Sequence, residues 1–133
     1  YRLGQAYIVT EQHEKSLEYL SRAVRLVPNF TEVYTAMIDA YSAMDNADYV
    51  AYARGMQAFS LGDYDTALTH LQASTDALND FSPAYVGLGL TFEKKNLYPE
   101  ALAAINYALE IDPSDLVAQQ AFGRLQATLE EQS

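Results

Sequence analysis

Chemistry in this 133-residue chain has few candidates to draw on, because it holds two histidines, His13 and His70, and no cysteine. Neither histidine has a second histidine or a carboxylate cluster at ligand spacing, and His13-Glu14 lacks the further histidine that a zinc-protease helix requires. Without cysteine there is no thiolate nucleophile, disulfide or cysteine-ligated zinc. Asp63 with Asp65 suits a helix start, where negative charge meets the helix dipole, and Glu130 with Glu131 reads as a solvated tail. Gly87-Leu88-Gly89 lacks the third glycine, the preceding strand and the lysine of a phosphate loop. No nucleophile stands beside a base. The sequence therefore points to no enzyme, no metal and no cofactor. What remains is recognition chemistry. Eleven tyrosines offer large contact area at low entropic cost with a polar tip. Tyr49, Tyr52, Met56 and Phe59 fall at offsets 0, 3, 7 and 10, one stripe of a helix and separate from the small stripe Ala51, Gly55 and Ala58. Such a stripe can be buried by the fold or left for a partner.

The elements that must carry these residues are helical. Gly55, Tyr64, Ala67 and Leu71 recur 34 residues later as Gly89, Tyr98, Ala101 and Ile105, and Gly89 recurs as Gly123. Leu68, Leu71 and Leu78 form one apolar stripe, and Leu102, Ile105 and Leu109 form its copy, with helical spacing and no strand alternation. Gly62-Asp63 and Asn96-Leu97-Tyr98 break helices, and Pro99 suits a first helical turn. The spacing predicts helices near 1–10, 13–26, 31–44, 48–61, 65–78, 83–95, 99–110 and 115–130.

These residues resemble the tetratricopeptide repeat, a 34-residue helix-turn-helix unit. Tyr85, Leu88, Gly89 and Phe92 fill the first-helix slots of the best copy, and Ala101, Ile105, Ala108 and Pro113 its second-helix slots. The unit from Asp48 is a weaker copy, with Ala58 in the aromatic slot and Ser74 and Asn79 for the usual alanine and proline. The first unit supplies Leu3, Gly4, Tyr7, Ala23 and Pro28, with Ser16 in place of the small residue. The resemblance implies an all-α, right-handed superhelical solenoid of antiparallel helix hairpins. A single domain over 1–133 divides into a clipped repeat (1–30), an unpaired helix or part of a long one (31–47), repeats at 48–81 and 82–115, and a capping helix (116–133). Helices approach closely only where side chains are small, so Gly55 is expected to face Ala67 and Gly89 to face Ala101.

The resemblance also implies a non-enzymatic scaffold or adaptor whose first helices line a groove for a peptide or partner helix. Carried over slot by slot, that groove comprises Tyr1, Arg2, Gln5, Thr35, Asp39, Tyr49, Tyr52, Met56, Phe59, Val86, Leu90, Glu93, Gln120 and Arg124. Its core is Tyr49, Tyr52, Met56, Phe59, Val86, Leu90, Gln120 and Arg124. The family's basic, asparagine-bearing clamp for a C-terminal carboxylate is unmatched, since its slots hold Tyr1, Gln5, Ala36, Pro83 and Gly87. The net charge of -10 makes nucleic acid and anionic membrane poor partners. It also suggests an acidic rim around an apolar groove, suited to an apolar or basic segment.

The period fails once. Gly4 to Gly55 is 51 residues, one and a half repeats, so one helix lacks a partner. Either 31–61 is a single rod, or it turns near Asn46 with Asp48 as the next N-cap. A rod favours a helix-exchanged homodimer through 31–61; a turn made of separate antiparallel helices would reverse the alternation and interrupt the superhelix. Both remain open from the sequence. No run of eighteen apolar residues is present, so a soluble chain without membrane insertion is expected, with the cytoplasm slightly favoured. The start Tyr1-Arg2-Leu3-Gly4 reads as that of a fragment or processed product.

Overall fold

A computed structural model describes residues 31–132, with side chains from Val33 onward. The helices expected at 1–10 and 13–26 lie outside the described residues. Six helices follow in order: α1 Thr31–Ala43, α2 Ala47–Ser60, α3 Tyr64–Ala77, α4 Ser82–Lys94, α5 Tyr98–Ile111 and α6 Leu116–Gln132. They match the expected spans to within two residues at each end, and no strand occurs among the described residues.

The segment between 31 and 61 is two helices. Asp45 takes a left-handed conformation (φ 54°). The Asp45 amide donates to the Ser42 carbonyl (3.1 Å) and the Asn46 amide to that of Tyr41 (3.0 Å), closing a Schellman turn. Gly62 (φ 84°) and Asn96 (φ 64°) end α2 and α4 in the same way. There the Asp63 amide reaches the Ala58 carbonyl and the Leu97 amide that of Phe92, both at 2.9 Å. Asp45 is thus the terminator and Asn46 sits at the N-cap of α2, with Asp48 in its first turn. The left-handed residue tolerates Gly, Asn and Asp because short polar side chains and hydrogens escape the clash that bars others. The links 78–81 and 112–115 are more open. In the second of these, the buried Asp115 carboxylate accepts from the Ala118 amide at 3.1 Å and caps α6.

Neighbouring helices pack antiparallel, and α2 also touches α4 while α4 touches α6. The result is an inner layer of α2, α4 and α6 and an outer layer of α1, α3 and α5. The unpaired helix α1, although its sequence has a first helix's slots, takes an outer place. Its tight turn into α2 keeps the inner and outer alternation unbroken through 31–132, so the interruption expected of separate helices does not occur within the described residues.

Tyr34, Met37, Leu71, Ile105 and Leu125 are fully buried between the layers, each such side chain contributing ~2 kcal/mol of hydrophobic free energy. The glycine contacts differ from those expected. A β-carbon at Gly55 would lie 2.6 Å from Leu71 Cγ, and one at Gly89 2.7 Å from Ile105 Cδ1 and 3.2 Å from the Ala101 carbonyl. The closest partners are thus the large second-helix residues Leu71 and Ile105, with Ala101 contributing only backbone. Ser74, fully buried where the next unit has Ala108, is the one described side chain whose polar atom is buried without a partner.

Candidate functional site

The inner layer carries an open pocket of about 640 Å³ near the C-terminal ends of α2, α4 and α6. Phe59 and Leu90 form its floor, Glu93, Lys94, Asn96 and Tyr98 one wall, and Arg124, Ala127 and Thr128 the other. Each wall is fixed by its own element. Glu93 and Lys94 end α4, and the Schellman turn at Asn96 then swings the chain so that Tyr98 opens α5 over the same space, its hydroxyl donating to the Asn96 side chain at 2.8 Å. Across the pocket the Arg124 guanidinium forks onto the Glu93 carboxylate, Nη2 to Oε1 at 2.9 Å and Nε to Oε2 at 3.2 Å. That hydrogen bonding holds the Arg124 proton even more firmly than usual, against an opposing effect of partial burial. The pair clamps α6 to α4 while leaving 52% of the Arg124 side chain exposed.

The residues expected to form the groove divide sharply. Phe59, Leu90 and Arg124 meet in this pocket, and Gln120 is exposed one turn away on α6. Tyr52, Met56 and Phe59, at 2, 3 and 4% exposure, are packed into the core, as are Val86 and Leu90. Tyr49 is half-buried. The aromatic stripe is therefore covered within the chain. Tyr49 stacks on Tyr41 (5.2 Å between ring centroids) and meets the edge of Phe81 (4.8 Å). Tyr52 also meets Phe81 (5.0 Å), and Phe59 leans on Tyr64 (5.7 Å). The physical reason is that Tyr41 of α1, Phe81 of the link before α4 and Tyr64 of α3 close over the stripe, while Met56 lies against Gly87 of α4, so side chains at slots that open onto a wide groove are here spent on packing. Tyr1, Arg2 and Gln5 lie outside the described residues.

Thr35 and Asp39, carried to the groove because α1 reads as a first helix, instead line a crevice of about 490 Å³ with Ile38, Arg54, Leu61 and His70. The outer position of α1 puts them there, and the Gln57 side-chain amide donates to Thr35 Oγ1 at 2.9 Å. Lys94, Ala127 and Thr128 join the pocket lining without a sequence signal of their own, and Asn96 and Tyr98, marked by the sequence as a helix break, join it too. The adjacency of Lys94 to the groove slot at Glu93, and the left-handed signal of Asn96, are the traces of them that the sequence contains. Among the described residues no group of three or more His, Asp or Glu side chains could hold a metal ion, and no helix is long and apolar enough to cross a membrane.

The repeated hairpins and inner-layer pocket define a helical-repeat interaction module. Sequence models of the tetratricopeptide repeat match residues 52–115 and 1–30, and the chain belongs to the tetratricopeptide repeat family. The two matches leave between them 31–51, the unpaired α1 and the start of α2. As a member of this family the chain is a non-enzymatic protein–protein interaction scaffold. A curated relative, the BBSome complex member BBS4 of Bos taurus, is 23% identical over 146 residues, an alignment spanning 97% of this chain and 28% of the relative. The first tetratricopeptide domain of human RPAP3 superposes with a TM-score of 0.64 at 18% identity, covering 95% of this chain and 93% of that one. The first such domain of Spaghetti (RPAP3), bound to the HSP90 peptide SRMEEVD, gives 0.64 at 16% identity, covering 94% and 93%. The Arabidopsis OM64 domain gives 0.61 at 18%, covering 96% and 98%. At these identities the likeness is one of fold.

Proposed function

We propose that this chain is a scaffold or adaptor that holds a peptide or partner helix against the inner face of α2, α4 and α6. The observation that carries this reading is the pocket whose floor and walls come from all three inner helices at once. Its volume lies within the range of about 300–1,000 Å³ that accommodates small bound groups, enough for a few side chains of a segment lying across the helices. A structural neighbour holds a short peptide, and the curated relative is a member of a multi-subunit complex; both fit a module that gathers other chains.

The alternative of a helix-exchanged homodimer through 31–61 needs a rod. The closed turn at Asp45, with α1 packed on α2 of its own chain, supports the groove reading over exchange. A photo-reactive phenylalanine analogue at exposed Ala127, inside the pocket, compared with one at exposed Ala103 on the outer helix α5, tests the reading in the native cell. Cross-links to other proteins are expected from position 127 and not from 103. Cross-links only from 103, or from 127 only to a second copy of the same chain, overturn it.

A further inference from the structure

The outer face carries an opening separate from the inner-face pocket. Outer helices α1 and α3 flank α2 without packing on each other, just as α3 and α5 flank α4. Each arrangement makes a crevice floored by the middle helix. Between α3 and α5 two aromatic rings fill it. Tyr85 of α4 and Tyr107 of α5 lie 4.4 Å apart between ring centroids. Their hydroxyls donate to the Thr75 carbonyl of α3 (3.2 Å) and to the Asn79 carbonyl in the link that follows it (2.9 Å). Shifted back by the 34-residue period, these two tyrosine positions are Ala51 and Ala73 in the α1–α3 crevice.

The loss of both rings leaves space. Ala51 lines a pocket of about 400 Å³ with Ser42, Asp45, Val50, Arg54 and His70, and Ala73, one turn beyond His70, is exposed. Arg54 and His70 also line the crevice of about 490 Å³ described above, so the two openings meet over α2. The same shift replaces buried Leu88 and Ala104 by exposed Arg54 and half-buried His70. Arg54 makes no ion pair among the described residues, which leaves its guanidinium able to lie on an aromatic face. The surroundings are acidic. From residue 33 to 77 the carboxylates are Asp39, Asp45, Asp48, Asp63, Asp65 and Asp76, and Arg54 is the one Lys or Arg. Of these acids, Asp65 already has a cation, Lys95.

We propose that the α1–α3 crevice binds an aromatic side chain flanked by Lys or Arg in a segment of another protein. The ring takes the place that Tyr85 and Tyr107 fill one repeat later, resting on Val50 and Ala51 with the Arg54 guanidinium against its face. The flanking cations meet Asp45 in one part of the opening and Asp39 in the other. The aromatic requirement comes from the two missing rings and the basic one from the charge of α1, α2 and α3. Neither depends on the inner-face groove.

Amide-resolved NMR titration of the whole chain with three capped tripeptides, Arg-Tyr-Arg, Arg-Ala-Arg and Asp-Tyr-Asp, tests this. Arg-Tyr-Arg is expected to give saturable shifts at Ala51, Arg54 and His70. Asp-Tyr-Asp is expected to bind about tenfold more weakly, since both flanking contacts reverse sign, and Arg-Ala-Arg to give no saturable shift. The double variant Ala51→Tyr with Ala73→Tyr rebuilds the ring pair within the chain; its melting temperature is expected to rise and its binding of Arg-Tyr-Arg to be lost. Equal binding of Arg-Ala-Arg or of Asp-Tyr-Asp, shifts confined to the surroundings of Phe59 and Arg124, or no saturable shift at all overturns the proposal. A double variant that folds by circular dichroism and still binds as the native chain does overturns it too. Should that variant fail to fold, the three-peptide comparison on the native chain decides. Shifts at the same amides on raising the concentration of the chain alone assign the crevice to a second copy and overturn the proposal, while the inner-face reading stands in every case.

Discussion

Gly89 and Gly123 occupy the same slot of successive repeats, yet they do different work. A methyl at Gly89 would be driven into Ile105 and the Ala101 carbonyl, whereas one at Gly123 meets nothing within 4 Å among the described residues. Gly89→Ala is expected to destabilise the fold by ~1–3 kcal/mol through overpacking, and Gly123→Ala to stabilise it by ~0.5–1 kcal/mol through helix propensity. Thermal melts of opposite sign would establish the contrast. Ser74→Ala removes a buried hydroxyl without a partner and is expected to raise stability by about 1 kcal/mol, read from the urea midpoint at unchanged slope. Tyr34 responds to pH. Burial raises its phenol above the ordinary value of about 10, so the folded state holds the proton more tightly than the unfolded one. The contribution is intact below about pH 10 and lost as pH climbs above it. Native protein is expected to lose stability more steeply than Tyr34→Phe in denaturant titrations above that pH, with the two curves parallel at neutral pH.

One turn is used three times, at Asp45, Gly62 and Asn96, and it explains how an odd helix fits a paired architecture. Asp is the least comfortable of the three residues in the left-handed region. Asp45→Gly is therefore expected to stabilise the chain by about 0.5–1 kcal/mol and Gly62→Ala to cost about 1 kcal/mol; equal effects in chemical denaturation would contradict the shared geometry. The helices themselves were legible in the sequence to within two residues because their apolar spacing, glycines and prolines are local signals. The choice between rod and turn was not legible, since Asp45 carries no strong breaker signal and its conformation follows from α1 folding back onto α2. Thr35 and Asp39 went to the wrong side for the same reason. Slot pattern reports which face of a helix is apolar, but not whether that helix stands in the inner or outer layer.

Across the whole molecule, the expected aromatic groove became core and the usable pocket moved toward the C-terminal ends of the inner helices. Phe59→Ala is consequently expected to cost ~3–5 kcal/mol of stability rather than to act on binding alone, visible as a large drop in melting temperature, while Ala127→Arg at an exposed position leaves the melt near that of the native chain. Of the eight core groove residues, Phe59, Leu90 and Arg124 were brought together and Gln120 stands nearby. Tyr49, Tyr52, Met56 and Val86 were taken by packing of α2 against its neighbours. The 34-residue period, helix boundaries and small-residue slots belong to the chain by itself, because each depends on residues a few positions apart and on backbone rules that act within one hairpin. The layer assigned to α1, the burial of Tyr49 and Tyr52 against Phe81 and the gathering of Lys94 and Arg124 into one pocket depend on contacts between residues 22 to 32 positions apart, such as Gln57 with Thr35, Tyr49 with Phe81 and Arg124 with Glu93. Such contacts form only when helices stack, so no local pattern announces them, and the tertiary structure alone decided which side chains line the inner-face pocket.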